Sequence, residues 1–234
     1  MADEGPARKR AKYDLSHNFR IHVGKKGREF TVPEAVVKDR SRFFKEKAST
    51  LPRDVSKLVK LSGTEPGVFN EYLEYIYFGG LDLDVKNTEV DTDFEATRVW
   101  VDVYSLAQEL WDPSTMNIVM DQFVRGICDQ CISVDIHTVA HVYDSTDEGS
   151  KLRKLFVDYY IHDKELETDD EEYMSGGAGY SLEDFCLDML RETKRLKKSN
   201  MSKKVREAFD VKLNSRGKCR YHRHDESCPP CAPD

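Results

Sequence analysis

The sequence has no apolar run long enough to cross a membrane, and its N-terminal segment lacks the apolar core of a secretory signal peptide. We therefore expect a protein of the nucleus, the cytoplasm or both, with no membrane association. In those compartments its six cysteines should be thiols or metal ligands rather than disulfides.

Catalytic and nucleotide-binding signatures are also missing. No serine lies in a G-x-S-x-G setting, and no glycine-rich phosphate-binding loop occurs. The glycines at 176–179 follow an acidic stretch whose charge would repel phosphate. We expect no enzymatic activity and no catalytic residue.

Positive charge is scarce for a nucleic-acid-binding protein. Lys and Arg number 36 against 43 Asp and Glu, which gives a formal net charge of -7. Because phosphate binding needs a positive field, this balance disfavours a general nucleic-acid binder. What the chain does have is 39% hydrophobic residues over 234 positions, enough for one good core with a second small lobe.

The hydrophobic pattern changes period near the N-terminus. Apolar residues alternate in "FRIHV" and again in "REFTV", with Gly24 and Gly27 between them, which predicts a β-hairpin. After Pro33 the spacing becomes helical and predicts one helix from Glu34 to Lys47. The alternation in "KLVKL" predicts a third strand.

Several amphipathic helices follow. The first ends at Gly79-Gly80, a second precedes Asp112-Pro113, and a third begins there. Three more are predicted further on, the last opened by a capping-box pattern of Ser181 and Asp184. The predicted inward residues are Val68, Tyr72, Leu73, Ile76 and Tyr77, then Trp100, Val103, Tyr104, Ala107, Leu110 and Trp111, then Met116, Val119, Met120, Phe123 and Ile127, then Ile136, Val139, Ala140, Tyr143, Leu152, Leu155, Phe156 and Tyr159.

Three blocks carry a family pattern: "FRIHVGKKGREFTVPEAVVKDRSRFF", "KLVKLSGTEPGVFNEYLEYIYFGGL" and "VDVYSLAQELWDPSTMNIVMDQFV". In order and spacing they resemble the BTB/POZ family. That family shows a hairpin ending F-x-V-H-x-x-V-L, a helix with R-S-x-x-F, a V-x-L strand, then F-x-x-x-L-x-Y-x-Y-x-G and L-x-x-L-A-x-x-L. The matching positions are Phe30, Val32, Val36, Val37, Arg40, Ser41, Phe44, Phe69, Leu73, Tyr75, Tyr77, Gly79, Tyr104, Leu106, Ala107 and Leu110.

The resemblance implies an α+β fold in which a small mixed sheet is capped by a helical cluster, with additional C-terminal helices. The continuation "HVYDSTDEGSKLRKLFVDYYIHD" resembles the helical extension of fungal BTB proteins. We expect a flexible basic arm at 1–18, the BTB/POZ domain at 19–128, the helical extension at 129–162, an acidic loop at 163–180, a C-terminal helical segment at 181–213 and a Cys/His-rich tail at 214–234.

Members of this family dimerise, bind co-regulators or hold a substrate on a cullin-type ubiquitin ligase. The resemblance therefore implies a non-enzymatic adaptor or scaffold whose partners are proteins, acting either as a substrate adaptor of a cullin-type ubiquitin ligase or as a nuclear co-regulator. Cullin binding in the family uses the loop after the Y-x-Y-x-G helix, often hydrophobic-x-Glu. Here that loop is Leu81, Asp82, Leu83 and Asp84, with Asp where Glu is expected. The basic arm lacks the strand and helix that swap in dimeric members, so we expect no swapped homodimer, while self-association through another surface stays open.

A basic cluster near the N-terminus, Arg8, Lys9, Arg10 and Lys12, lies between a proline and an aspartate. It resembles a monopartite nuclear-import signal, whose cations lie along an acidic groove of the receptor. A solvated tail is the alternative.

The C-terminal stretch "GKCRYHRHDESCPPCAPD" is rich in zinc-binding side chains. Cys219, His222, His224, Cys228 and Cys231 supply five candidates for the four positions of a tetrahedral site. A metal-free terminus is the alternative. With the basic arm, the tail suggests a second hypothesis for the whole protein, a nuclear zinc-dependent nucleic-acid binder.

One further cysteine pair, Cys128 and Cys131, has the spacing of a redox or zinc half-site. Burial as small apolar residues is the interpretation we favour, because no second pair lies at ligand spacing nearby.

Overall fold

A computed structural model of the chain describes residues 16–51, 57–79, 92–128, 132, 134–162, 182–198, 218–226 and 228–229. Within these ranges the protein belongs to the α+β class, as expected. In chain order the elements are β1 (Asn18–Val23), β2 (Arg28–Pro33), α1 (Glu34–Lys38), α2 (Arg42–Thr50), β3 (Lys57–Leu61), α3 (Pro66–Phe78), α4 (Thr92–Glu109), α5 (Pro113–Cys128), α6 (Ile136–Ser145), α7 (Lys151–His162), α8 (Glu183–Lys198) and α9 (Lys218–Tyr221).

The three described strands form a mixed sheet in the order β2-β1-β3. β1 pairs antiparallel with β2, which confirms the predicted hairpin, and parallel with β3. Alternate residues of β1, Phe19, Ile21 and Val23, are fully buried. Gly24 and Gly27 both have positive φ, 77° and 66°, as a tight turn requires.

The single helix predicted from Glu34 to Lys47 is wrong, because the chain forms two. α1 ends at Lys38, and Ser41 is extended, with φ -111° and ψ 122°. Its hydroxyl accepts a hydrogen bond from the Phe44 backbone N–H and donates one to the Leu110 carbonyl. Capping and a distant contact therefore fix a break that hydrophobic spacing does not reveal.

Helix α3 ends where predicted. Gly79 is left-handed at φ 81°, and its N–H donates to the Tyr75 carbonyl at 3.0 Å. The inward face is Phe69, Tyr72, Tyr75 and Ile76. Tyr77, predicted inward, lies on the outside because the buried hydrogen bonds of Tyr72 and Tyr75 set the rotation of the helix.

At the corner between α4 and α5, Trp111 lies outside the core instead of inside it as predicted. This residue is left-handed at φ 54° and 59% exposed, so its predicted inward position is wrong. The next residue, Asp112, is fully buried and accepts a hydrogen bond from the Thr115 N–H at 2.9 Å. The predicted cap of α5 is confirmed.

The predicted inward positions of α5, α6 and α7 are confirmed, since all are buried. Their side chains join one continuous hydrophobic core that runs from Phe19 in β1 to Tyr221 in α9. Helix α8 adds Phe185 to it, while Ser181 of the predicted capping box lies outside the described residues. In the part of the chain that the structure describes, no helix is long and apolar enough to span a membrane.

The end of α3 provides a first test of this geometry. Replacing Gly79 by Ala puts a Cβ on a left-handed residue and should lower the free energy of unfolding by about 1 kcal/mol. Gly67→Ala in the same helix should instead raise it by about 0.5 kcal/mol, because a Cβ there meets no atom within 4 Å. Urea unfolding of both variants checks the pair, and equal shifts would contradict the assigned cap.

The buried tyrosines should make the stability of the protein depend on pH in alkaline solution. Burial, with the nearby charge of Asp112, raises the pKa of Tyr72 well above its usual range. Burial likewise raises the pKa values of Tyr75 and Tyr143. These hydroxyls ionise near pH 10 in the unfolded chain and only at higher pH in the folded one. Their contribution to stability is therefore complete below about pH 10 and is lost as the pH rises further.

We expect urea midpoints that are level from pH 8 to about pH 10 and then fall, together with a rise in tyrosinate absorbance from the buried tyrosines that coincides with unfolding. Tyr72→Phe removes one titrating group and should flatten the slope above pH 10. An unchanged slope would contradict a role for Tyr72 in this titration.

Candidate functional site

Two aromatic side chains lie exposed at the C-terminal end of α3. Tyr77 is 48% and Phe78 80% exposed, with ring centroids 6.4 Å apart. The opposite face of the helix is held inward: the Tyr72 hydroxyl donates to Asp112 Oδ2 at 3.0 Å, and the Tyr75 hydroxyl donates to Gln122 Oε1. Exposed large apolar groups of this kind mark interaction sites.

The predicted partner-binding residues follow this aromatic pair in the chain. Leu81, Asp82, Leu83 and Asp84 lie outside the described residues, as do Arg8, Lys9, Arg10 and Lys12 of the predicted import signal. The structure does fix the point from which the loop starts. Gly79 ends α3 directly after Phe78, so an exposed aromatic surface adjoins the predicted loop.

A further exposed aromatic residue is Trp111, which the sequence predicts to lie inward. The Arg42 guanidinium lies 5.1 Å from the ring centroid of Trp111, and the backbone N–H of Arg42 donates to the Trp111 carbonyl at 3.1 Å.

An open groove lies between the start of α2 and residues 225–226 near the C-terminus, and charges of both signs line it. Its lining is Lys38, Asp39, Ser41, Arg42, Lys45, Glu46, Ser49, Asp225 and Glu226.

The C-terminal segment, defined as residues 218–229, packs against α5. The Asn117 side chain donates to the Arg223 carbonyl at 2.7 Å and accepts from the Arg223 N–H at 2.8 Å. His222 is buried, with its Nε2 3.1 Å from Asp121 Oδ1. One amide and one carboxylate on successive turns of α5 therefore fix the path of the segment.

A buried carboxylate on α7 holds the start of the same segment. Asp158 Oδ2 accepts hydrogen bonds from Arg220 Nη2 at 2.6 Å, Arg220 Nε at 3.0 Å and the Tyr221 hydroxyl at 2.8 Å. Lys154 adds an ion pair at 3.7 Å. Burial and the charge of Asp158 raise the pKa of Tyr221, so its hydroxyl remains a donor even in alkaline solution where an exposed tyrosine ionises. Sequence reasoning missed this anchor, because Asp158 is one acid among many.

Of the five predicted zinc ligands, the structure describes the side chains of three. The ring centroids of His222 and His224 lie 5.9 Å apart, and Cys228 Sγ is 3.3 Å from Asn117 Nδ2. Both ring nitrogens of His224 are enclosed and make no hydrogen bond within the described structure. Leaving such groups unpaired costs about 1–3 kcal/mol each.

The other two, the Cys219 side chain and Cys231, lie outside the described residues. So do the Cys128 side chain and Cys131 of the second cysteine pair. Considering only side chains that the structure places, no group of three or more His, Cys, Asp or Glu is arranged to hold a metal. Zinc binding therefore stays a prediction.

A serine, a histidine and an aspartate meet between α4 and α6. Ser145 Oγ lies 3.4 Å from His141 Nδ1, and His141 Nε2 lies 2.7 Å from Asp102 Oδ1. The Thr146 N–H, which follows Ser145, is already bonded to the Val142 carbonyl at 3.0 Å, so it cannot stabilise an oxyanion. We interpret this cluster as a polar contact that joins the two helices.

No protein-family model matches the chain, and no curated protein matches it. Its function must therefore be inferred from its own residues and their geometry.

The Asp158 anchor gives a test of how the C-terminal segment is held. Asp158→Asn removes the buried charge that Arg220 bonds at 2.6 Å, leaves Arg220 with only the longer contact to Glu192 at 3.9 Å, and should lower the free energy of unfolding by about 2 kcal/mol. Tyr221→Phe removes one hydrogen bond and should cost about 1 kcal/mol. Urea unfolding measures both losses. Trypsin cleavage after Arg223, followed by mass spectrometry, should accelerate in Asp158→Asn.

The control is Glu46→Gln, which breaks the exposed ion pair between Glu46 and Arg42, 2.8 Å apart. Exposed pairs of this kind contribute under about 0.5 kcal/mol. If Asp158→Asn behaved like this control, Asp158 would not be the anchor of the segment.

Proposed function

We propose that this protein is a BTB/POZ-type interaction module that serves as a non-enzymatic adaptor or scaffold, with a cullin-type ubiquitin ligase among its partners. The resemblance of three sequence blocks to that family supports the proposal. The order of elements agrees with it as well: a hairpin, short helices, a strand parallel to the central one, a helix and then paired helices.

The observation that carries the proposal is the exposed aromatic pair at the end of α3. Tyr77 and Phe78 adjoin the loop that binds cullins in the family. Aromatic side chains are enriched among residues that dominate binding energy, because they bury a large area at a small entropic cost. Phe78 contributes nothing comparable to the core, so its exposure is better explained by a partner than by folding.

The loop itself fits a partner that is apolar with a basic rim. In the sequence, Leu81 and Leu83 alternate with Asp82 and Asp84. An apolar pair gives contact area, and two carboxylates favour Lys and Arg on the partner, which steers association. Asp84 is one methylene shorter than the Glu of the family pattern, which should weaken the contact without abolishing it.

The nuclear nucleic-acid hypothesis receives less support. His222 Nε2 lies 3.1 Å from Asp121 Oδ1 and Cys228 Sγ lies 3.3 Å from Asn117 Nδ2, so these two side chains face α5 rather than a polyanion. We propose instead that Arg8, Lys9, Arg10 and Lys12 direct import, which would let the adaptor work in the nucleus as well as the cytoplasm.

The decisive experiment is a binding measurement between the full-length protein and purified cullin N-terminal domains, for example by biolayer interferometry. Phe78→Ala should raise Kd at least tenfold, and Leu83→Ala should do the same, because each removes apolar contact area at the proposed interface. Phe78 is 80% exposed, so the melting temperature of Phe78→Ala should remain that of the wild type.

The matched control is Leu190→Ala, which removes an equally apolar side chain, 56% exposed, from α8. It should leave Kd unchanged. Wild-type protein that binds no cullin, or binding that is indifferent to both Phe78→Ala and Leu83→Ala, would reject the proposal.

A further inference from the structure

We propose that Cys219, His224, Cys228 and Cys231 bind one Zn²⁺ ion that closes the chain between Cys219 and Cys231 on itself, beside helix α5. The proposal concerns the architecture of the segment and stands apart from cullin binding. It rests on the state of His224, the turn that follows it and the spacing of the donors.

His224 is the first indication. Its two ring nitrogens are screened from solvent and have no hydrogen-bond partner among the described residues. An imidazole normally pairs at least one nitrogen when it is enclosed in this way. Coordination to a metal ion removes the discrepancy, because a neutral imidazole nitrogen is a preferred zinc ligand.

The turn after His224 brings Cys228 back beside Asp225. The Asp225 N–H donates to the Cys228 carbonyl at 3.1 Å, and the Cys228 N–H donates to the Asp225 carbonyl at 3.3 Å and to Asp225 Oδ1 at 3.0 Å. These bonds close the backbone between the two residues, so Cys228 returns beside the residue that follows His224.

Cys228 also has the kind of neighbour that a metal-bound thiolate needs. Asn117 Nδ2 lies 3.3 Å from its Sγ, and the same amide holds the Arg223 carbonyl at 2.7 Å. N–H donors to a coordinating sulfur orient the ligand and stabilise its negative charge. Helix α5 thereby supplies support from outside the ligand set.

The sequence supplies the two remaining ligands. Cys219, His224, Cys228 and Cys231 follow one another as C-x4-H-x3-C-x2-C, and the last pair has a spacing common in structural zinc sites. Three thiolates and one imidazole complete a closed tetrahedral site of a structural type. Such a site needs no open position, which agrees with a role in folding.

His222 is the donor left out of this set. It is buried with its Nε2 3.1 Å from Asp121 Oδ1, on the surface of α5. We assign it to positioning the segment, in parallel with the contacts of Asn117. Zinc would then hold together the residues that follow His222.

The test uses the full-length chain, purified without a histidine tag and saturated with Zn²⁺. Elemental analysis should find one zinc per chain after desalting. Replacing the metal by Co²⁺ should give the visible d–d absorption of a tetrahedral site and near-ultraviolet thiolate charge-transfer bands. His224→Ala and Cys228→Ala should each retain less than a tenth of the wild-type zinc.

Two control variants separate this site from other donors. Cys186→Ala removes a partly buried thiol on α8, where burial raises the thiol pKa, and should keep one zinc per chain. His222→Asn should also keep its zinc. Loss of the metal in either control, or full retention in Cys228→Ala, would overturn the assigned ligand set.

A measurement without substitutions guards against variants that fail to fold. Alkylation of the native wild-type protein should spare Cys219, Cys228 and Cys231, and a chelator should expose all three while Cys186 reacts at an unchanged rate. Wild-type protein that carries no zinc after saturation, or thiols whose alkylation ignores the chelator, would sink the proposal.

Discussion

The fold depends on one buried carboxylate, that of Asp112 between α4 and α5. It is fully desolvated, a state that is tolerated only when its lone pairs are satisfied. Tyr72 from α3 donates to it at 3.0 Å, Thr115 from α5 at 2.9 and 2.7 Å, and Arg40 from the α1–α2 junction lies 3.7 Å away. Elements far apart in sequence are thus obliged to meet at one point.

The same corner determines what the protein shows to solvent. Because Tyr72 is tied to Asp112, the rotation of α3 is fixed, and Phe78 at its end has to point outward. Because Trp111 takes a left-handed conformation to bring Asp112 inside, its own ring is left outside, beneath Arg42. The exposure of both Phe78 and Trp111 therefore follows from the burial of Asp112.

Sequence reasoning succeeds where a repeat decides the outcome and fails where a single contact does. Alternation predicts the hairpin because every second residue of β1 is buried, and glycine predicts the end of α3 because only a left-handed residue fits there. The break before α2 is missed, since Ser41 is held by the Leu110 carbonyl, 69 residues away. The predicted positions of Trp111 and Tyr77 are wrong for the same reason. The contacts of Asp112 with Tyr72 and Thr115 fix the corner and the rotation of α3, and both side chains are left outside the core.

For the candidate site, sequence indicates which chemistry is present and structure indicates how it is held. The family pattern locates Leu81–Asp84 but does not reveal that Tyr77 and Phe78 adjoin it as exposed rings. Cysteine and histidine spacing suggests a metal, yet only the geometry separates His222, bonded to Asp121, from His224, whose nitrogens are enclosed without partners.

The contact of the C-terminal segment with the helices and the exposed end of α3 differ in whether the chain itself supplies the contacting groups. Along the C-terminal segment, Asp158, Asn117 and Asp121 meet donors or acceptors already supplied by the chain, so that contact needs no partner molecule. At the end of α3 nothing in the described structure covers Phe78. Since the opposite face of α3 is anchored, a partner docking there would lose little affinity to ordering the helix. A rigid helix ending in an uncovered aromatic ring is therefore better suited to recognition than to stability.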